Sequence, residues 1–234
     1  MKRLVVLLVG AAVFLGSCGG QGIGEMQRES RAVDPENAQA VGAELRMGAG
    51  ELNVTGGADA LMEANFAYNV ADWEPEVNYE VSGDTGELSV EQGSDEGVRL
   101  GGDARNEWDL RFNDEVPIDL SVEMGAGESD LDLDSLDLTG LNLAVGAGET
   151  TVDLTGDYER DLAAAIEGGV GRATVRLPSQ VGVRVRAEGG LGRINAGGLR
   201  REGEAYVNDA HGDSDVTLEV EVQGGVGETN LEVV

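Results

Sequence analysis

The sequence predicts an all-β solenoid, and three observations carry that reading. A Gly-x-Gly followed by Glu or Arg recurs, apolar and polar residues alternate around each copy, and apolar columns repeat about every 22 residues. The motif stands at Gly48–Glu51, Gly125–Glu128, Gly146–Glu149, Gly169–Arg172, Gly190–Arg193 and Gly225–Glu228, the last five copies starting 21, 23, 21 and 35 residues apart. Alternation as in Leu141-Asn142-Leu143-Ala144-Val145 has the period of a strand. Aligned on the glycines, Val122, Leu143, Ile166, Ala187 and Val222 form one column, and Leu131, Val152, Val175, Ala196 and Leu231 another. Turns stacked about 4.8 Å apart would place such columns inside, one side chain per turn. The glycines Gly125, Gly127, Gly146, Gly148, Gly169, Gly171, Gly190, Gly192, Gly225 and Gly227 then sit where the chain turns between faces and a Cβ would obstruct.

The first element is an export signal over residues 1–17. Lys2 and Arg3 precede twelve uncharged residues, Leu4–Leu15, and then comes Leu15-Gly16-Ser17-Cys18. Twelve residues make a helix of roughly 18 Å, short of a bilayer core of about 30 Å. The Leu-Gly-Ser-Cys run resembles the lipobox of bacterial lipoproteins. That resemblance implies cleavage before Cys18 and acylation of it, making Cys18 the membrane anchor. Gly19 after the cysteine resembles the pattern sent to the outer membrane where the source has two membranes. Residues 18–35, Gly-rich, polar and aperiodic, are expected to be a flexible tether.

Residues 36–118 form an aromatic-bearing N-terminal part. Phe66, Tyr68, Trp73, Tyr79, Trp108 and Phe112 are six of the eight aromatics left after the signal. They either pack the first turns or, if exposed, make Trp73 and Trp108 a binding platform for sugar or peptide. Residues 119–234 carry the repeats.

Stacked in chain order, the residues after the motifs form a column of Glu128, Glu149, Arg172, Arg193 and Glu228. Glu149 would face Arg172 and Arg193 would face Glu228, with like charges meeting at Glu128/Glu149 and Arg172/Arg193. A solvated ladder of this kind is worth at most about 1 kcal/mol per pair. The last strand, Thr229–Val234, is expected to be an open edge through which a homo-oligomer or a partner strand could add.

Composition narrows the function. A net charge of −29 disfavours nucleic acid, and one cysteine and one histidine rule out an intrachain disulfide and leave no structural zinc set. Catalytic triads would have to be built around His211. Without the signal, 45 acids face 14 bases, a net −31, and all 14 are arginine. Acid enrichment without lysine resembles adaptation to high salt. The unfolding midpoint is therefore expected to rise between low and molar NaCl, as self-repulsion is screened; a midpoint that salt does not move would refute this.

Three local patterns carry candidate chemistry. Asp130, Asp132 and Asp134 have the spacing that opens a calcium loop, but Ser135 replaces the turn glycine and Leu141 stands where the bidentate Glu is required. The Gly-x-Gly copies lack the strand-to-helix context and downstream lysine of a phosphate loop. Asp209, His211, Asp213 and Asp215 are the densest group of metal-ligand types and a candidate weak divalent-cation site.

Met47-Gly48-Ala49-Gly50-Glu51-Leu52-Asn53-Val54 with Ala64–Asn69 resembles the N-terminal region of the toast-rack domains of bacterial envelope proteins. Gly197-Gly198-Leu199, Tyr206-Val207-Asn208 and Gly224–Leu231 resemble the β-stranded module shared with cell-wall-active-antibiotics response proteins and adhesin-like proteins. The resemblance implies a right-handed, mostly parallel β-helix-like fold, no cofactor, no catalytic residue, and a scaffolding or stress-sensing role at the envelope with an envelope-protein or cell-wall partner. Relatives that carry transmembrane helices have no counterpart segment here, so the lipidated cysteine would take over anchoring. Two other readings remain open. One is a sugar- or peptide-binding adhesin. The other is a β-helix polysaccharide-degrading enzyme using Arg184, Arg186, Arg200 or Arg201 as base.

Overall fold

The computed structural model describes residues 23–93 and 103–234. The signal, residues 1–17, and Cys18 lie outside the described residues. The described residues are all-β: thirteen strands form one sheet, accompanied among them by one short 3-10 turn at Ala71–Trp73. Among the described residues no helix is long and apolar enough to cross a membrane.

Six long strands are the rungs of a parallel stack: β2 (Ala40–Thr55), β7 (Ile118–Asp132), β8 (Leu138–Asp153), β9 (Leu162–Leu177), β10 (Gly182–Gly197) and β13 (Thr217–Val233). Each rung bends at its Gly-x-Gly. Before the bend of β7, Ile118, Leu120, Val122 and Met124 are buried; after it, Ser129 and Leu131 are, so the inward-facing parity flips across the motif. The two halves of each rung thereby pack on each other around one continuous core. Gly148 shows why the bend needs glycine. Its φ is +142°, a conformation that side chains rarely adopt, and a Cβ there would overlap the carbonyl oxygen of Gly127 on the neighbouring rung.

At the N-terminal end the stack splits. The first half of β2 pairs with β5 (Thr85–Glu91), itself joined antiparallel to β4 (Glu76–Ser82). The second half pairs with β6 (Asn106–Phe112), followed antiparallel by β3 (Met62–Val70) and β1 (Ile23–Val33). Trp108 and Phe66 meet edge to face in this region, ring centres 5.4 Å apart.

β1 replaces the expected tether over Ile23–Val33, while residues 18–22 lie outside the described residues. Residues 27–33 pair continuously with β3, and Ser30 Oγ donates to Asn65 Oδ1 at 2.7 Å. The strand lies on a sheet edge with mostly exposed side chains, so its backbone pairing leaves no apolar alternation in the sequence.

The second correction concerns strand order. The rungs run β2-β7-β8-β9-β13-β10, so the last strand lies between two earlier ones. The expected open edge at Thr229–Val234 is therefore interior, paired with β9 on one side and β10 on the other. The charges on the three strands complement this insertion. Arg172 and Arg176 lie on β9 and Arg184, Arg186 and Arg193 on β10, while β13 brings Glu219, Glu221, Glu228 and Glu232 between them. Arg184 meets Glu219 at 3.0 Å and Arg186 meets Glu221 at 3.4 Å. The expected Arg172/Arg193 clash is replaced by Arg172–Glu228 at 3.8 Å, and Arg172 keeps Glu149 at 2.8 Å. The 35-residue interval holds a small hairpin, β11 (Arg200–Glu202) and β12 (Ala205–Val207), and a loop that carries the chain back. Buried Asn208 pins that loop: its Oδ1 accepts from Val183 N at 3.0 Å and its Nδ2 donates to the carbonyls of Val181 and Pro178 at 2.8 and 3.1 Å.

Candidate functional site

The outer face of the bends forms a concave surface. A shallow groove of about 870 Å3 crosses five rungs. Its floor is the first glycine of each motif, Gly48, Gly125, Gly146, Gly169 and Gly225, and its walls include Arg46, Glu123, Glu167 and Gln223. Parallel register places these residues side by side, so the groove is a direct product of the repeat. At its N-terminal end Arg46 is held by Glu44, by Glu91 at 2.7 Å and by Glu123 at 3.5 Å.

That end of the bend is capped by two side-chain amides. Gln92 Oε1 accepts from the backbone N of Gly48 and Ala49 at 2.9 and 3.3 Å, and Asn106 Nδ2 donates to the Ala49 carbonyl at 3.1 Å. They stand in for a further rung. Neither was recognised in the sequence, because a side chain that replaces a backbone neighbour has no periodic signature.

Inside the bend, side chains shrink toward the C-terminal end. The column Met47, Met124, Val145 continues as Gly168, Gly224 and Gly189. Ile194 partly fills the space over Gly189, leaving a fissure of about 40 Å3, room for little more than one water.

The sequence-predicted sites fare differently. Trp73 and Trp108 are 3% and 0% exposed, so neither offers a platform; both pack in the N-terminal part. Trp108 Nε1 donates to Asn106 Oδ1 at 2.9 Å. The metal candidate is not assembled. Asp209, Asp213 and Asp215 are exposed on a tight turn in which Asp213 N and Ser214 N both donate to the Ala210 carbonyl. Among the described residues no group of three or more His, Cys, Asp or Glu side chains could hold a metal ion. Asp130, Asp132 and Asp134 alternate outward around buried Leu131 and Leu133.

The arginines considered as bases are engaged in packing. Arg184 and Arg186 pair with β13 acids, Arg200 with Glu202 at 2.7 Å, and Arg201 lies over the Tyr206 ring at 5.8 Å. Altered titration follows local packing. Burial pushes the Asp134 carboxyl up, with Asp132 and Asp153 adding repulsion. Tyr68 is pushed up to about 12 by burial, then by Glu29 and Glu74. Arg200, through a hydrogen bond and its charge, lowers Glu202.

Fold and groove together define an all-β, glycine-bent, solenoid-like module with a shallow surface groove. The chain belongs to the toast-rack family: residues 22–176 match the N-terminal domain of toast_rack, DUF2154. A crystal structure from Clostridium sporogenes, titled a "putative cell adhesion protein", is 36% identical, with a TM-score of 0.88 over 90% of this chain and 100% of that one. A "putative adhesin" structure from Bacteroides fragilis is 9% identical over 91% of this chain and 100% of that one, and its TM-score of 0.26 carries no structural weight. No curated protein matches the chain.

Proposed function

We propose that the protein is a lipid-anchored, non-enzymatic binding module of the cell envelope, using the glycine-floored groove to hold an extended surface ligand. The observation that carries the reading is the groove itself. It runs across five rungs without interruption, and its polar walls come from register rather than from a converging set of catalytic groups. The similarity to a structure named for cell adhesion supports the same direction. Cys18 would hold the module at the membrane, with a scaffolding or stress-sensing role following from that placement. We take the winding as right-handed, the hand that nearly all parallel β crossovers adopt.

The test uses the acylated protein. Palmitate labelling is expected in the wild type and lost in Cys18→Ala. Retention on isolated envelope fragments is expected to survive loss of the lipid and to fall at least fivefold in the double variant Glu167→Ala/Gln223→Ala. Equal retention by both forms, or release of soluble fragments during incubation, would overturn the groove reading.

A further inference from the structure

The two ends of the stack are finished differently. At the N-terminal end both halves of β2 have outer neighbours and its bend is capped by Gln92 and Asn106. At the C-terminal end only residues 183–186 of β10 are covered, by Asn208 and β12. Among the described residues nothing pairs with the outer side of residues 187–197, and no side chain caps the bend Gly190-Leu191-Gly192. This stretch carries neither proline nor lysine, the usual guards of an exposed edge.

Its side chains are those of an interrupted repeat. Thr229 and Leu231 are buried in β13, whereas Ile194 and Ala196, next in the same columns, are only half-buried. Outside the bend, Val170, Val226 and Leu191 form an exposed apolar row, and Leu191 is 76% exposed. Beside that row the charges alternate Glu149, Arg172, Glu228, Arg193. Arg172 is bridged on both sides, while Arg193 makes no ion pair among the described residues. The next rung should supply a Gly-x-Gly, an apolar middle residue and an acid facing Arg193.

The chain contains one further segment of that kind. Gly22-Ile23-Gly24-Glu25 repeats the motif with an apolar middle residue and the acid in the required place. Ile23 is 41% exposed and pairs with Val70 of β3, residues 24–26 fall in a break of the β1–β3 register, and the outer edge of β1 is open. β1 lies eight strand positions from β10, roughly 38 Å at the spacing of a sheet, so this segment cannot reach β10 of its own copy. We infer that it adds to β10 of a second copy, completing the open half of the stack with Glu25 against Arg193 and Ile23 beside Leu191. Self-pairing of two β10 edges is a poorer fit. Two-fold antiparallel pairing matches residues whose numbers sum to an even value, and Glu188, the one acid in 187–197, cannot then face Arg193. The inference does not depend on what the groove binds.

The test is a fluorescein-labelled peptide copying residues 19–30, titrated into the full chain in detergent, with amide exchange as second readout. Saturable binding is expected, with new protection confined to residues 187–197. Binding is expected to weaken at least fivefold in Arg193→Glu and to recover when the peptide carries Glu25→Arg. Absence of saturable binding, indifference to the charge swap, protection on β3 instead, or a β10–β10 dimer that excludes the peptide would each overturn it.

Discussion

Gly148→Ala is expected to cost more than 3 kcal/mol, a large share of a total domain stability of the usual order of 5–15 kcal/mol. Two terms add. A non-glycine residue forced into φ of +142° is strained by about 1–3 kcal/mol. The new Cβ would also overlap the Gly127 carbonyl oxygen, which belongs to backbone locked in the next rung and cannot turn aside. Gly57→Ala separates the terms: φ there is +84°, yet nothing lies within 4 Å of the added Cβ, so only strain of about 1–2 kcal/mol is expected. Urea unfolding of the two variants is the measurement. Equal losses would show that close stacking at the bend contributes nothing.

Trp108→Ala is expected to cost about 3–5 kcal/mol, the range for removing a large aromatic side chain from a packed core. The ring is fully buried and edge-on to Phe66, and its Nε1 hydrogen-bonds the same Asn106 that caps the β2 bend. Truncation opens a cavity and also frees that cap. Trp108→Phe keeps most of the apolar contact and should lose about 1–2 kcal/mol, chiefly the hydrogen bond and the unfilled ring volume. If Trp108→Ala unfolded at the wild-type midpoint while weakening envelope binding, the residue would have to be reassigned from core to ligand surface.

These two positions show what was legible in the sequence. The bends were, because stacking imposes the same glycine pair on every rung and a fixed interval makes the pairs align. Burial of Trp108 was legible in principle: Trp108, Leu110 and Phe112 alternate with polar residues, which puts all three on one strand face. That is the packing alternative, and the buried ring bears it out. Strand order was not legible from alternation, since a parallel rung packs the same columns wherever it is inserted. Its trace lay in charge, because stacking in chain order set Arg172 against Arg193 and the structure avoids this by placing Glu228 between them. β1 left no trace, being an edge strand with little to bury. The groove was implicit in the glycine columns, but its depth depends on which half of each rung faces outward, and that follows from the parity change at the bend.

The insertion of β13 also sets a clock on folding. β9 and β10 leave the ribosome, and any export channel, before the strand that joins them, and β10 has no parallel neighbour until residues 217–233 arrive. Growth of the stack can proceed rung by rung from β7 to β9 and must then wait for residues 217–233. A polypeptide cut short before residue 217 would leave β9 open along one side and β10 without a parallel neighbour.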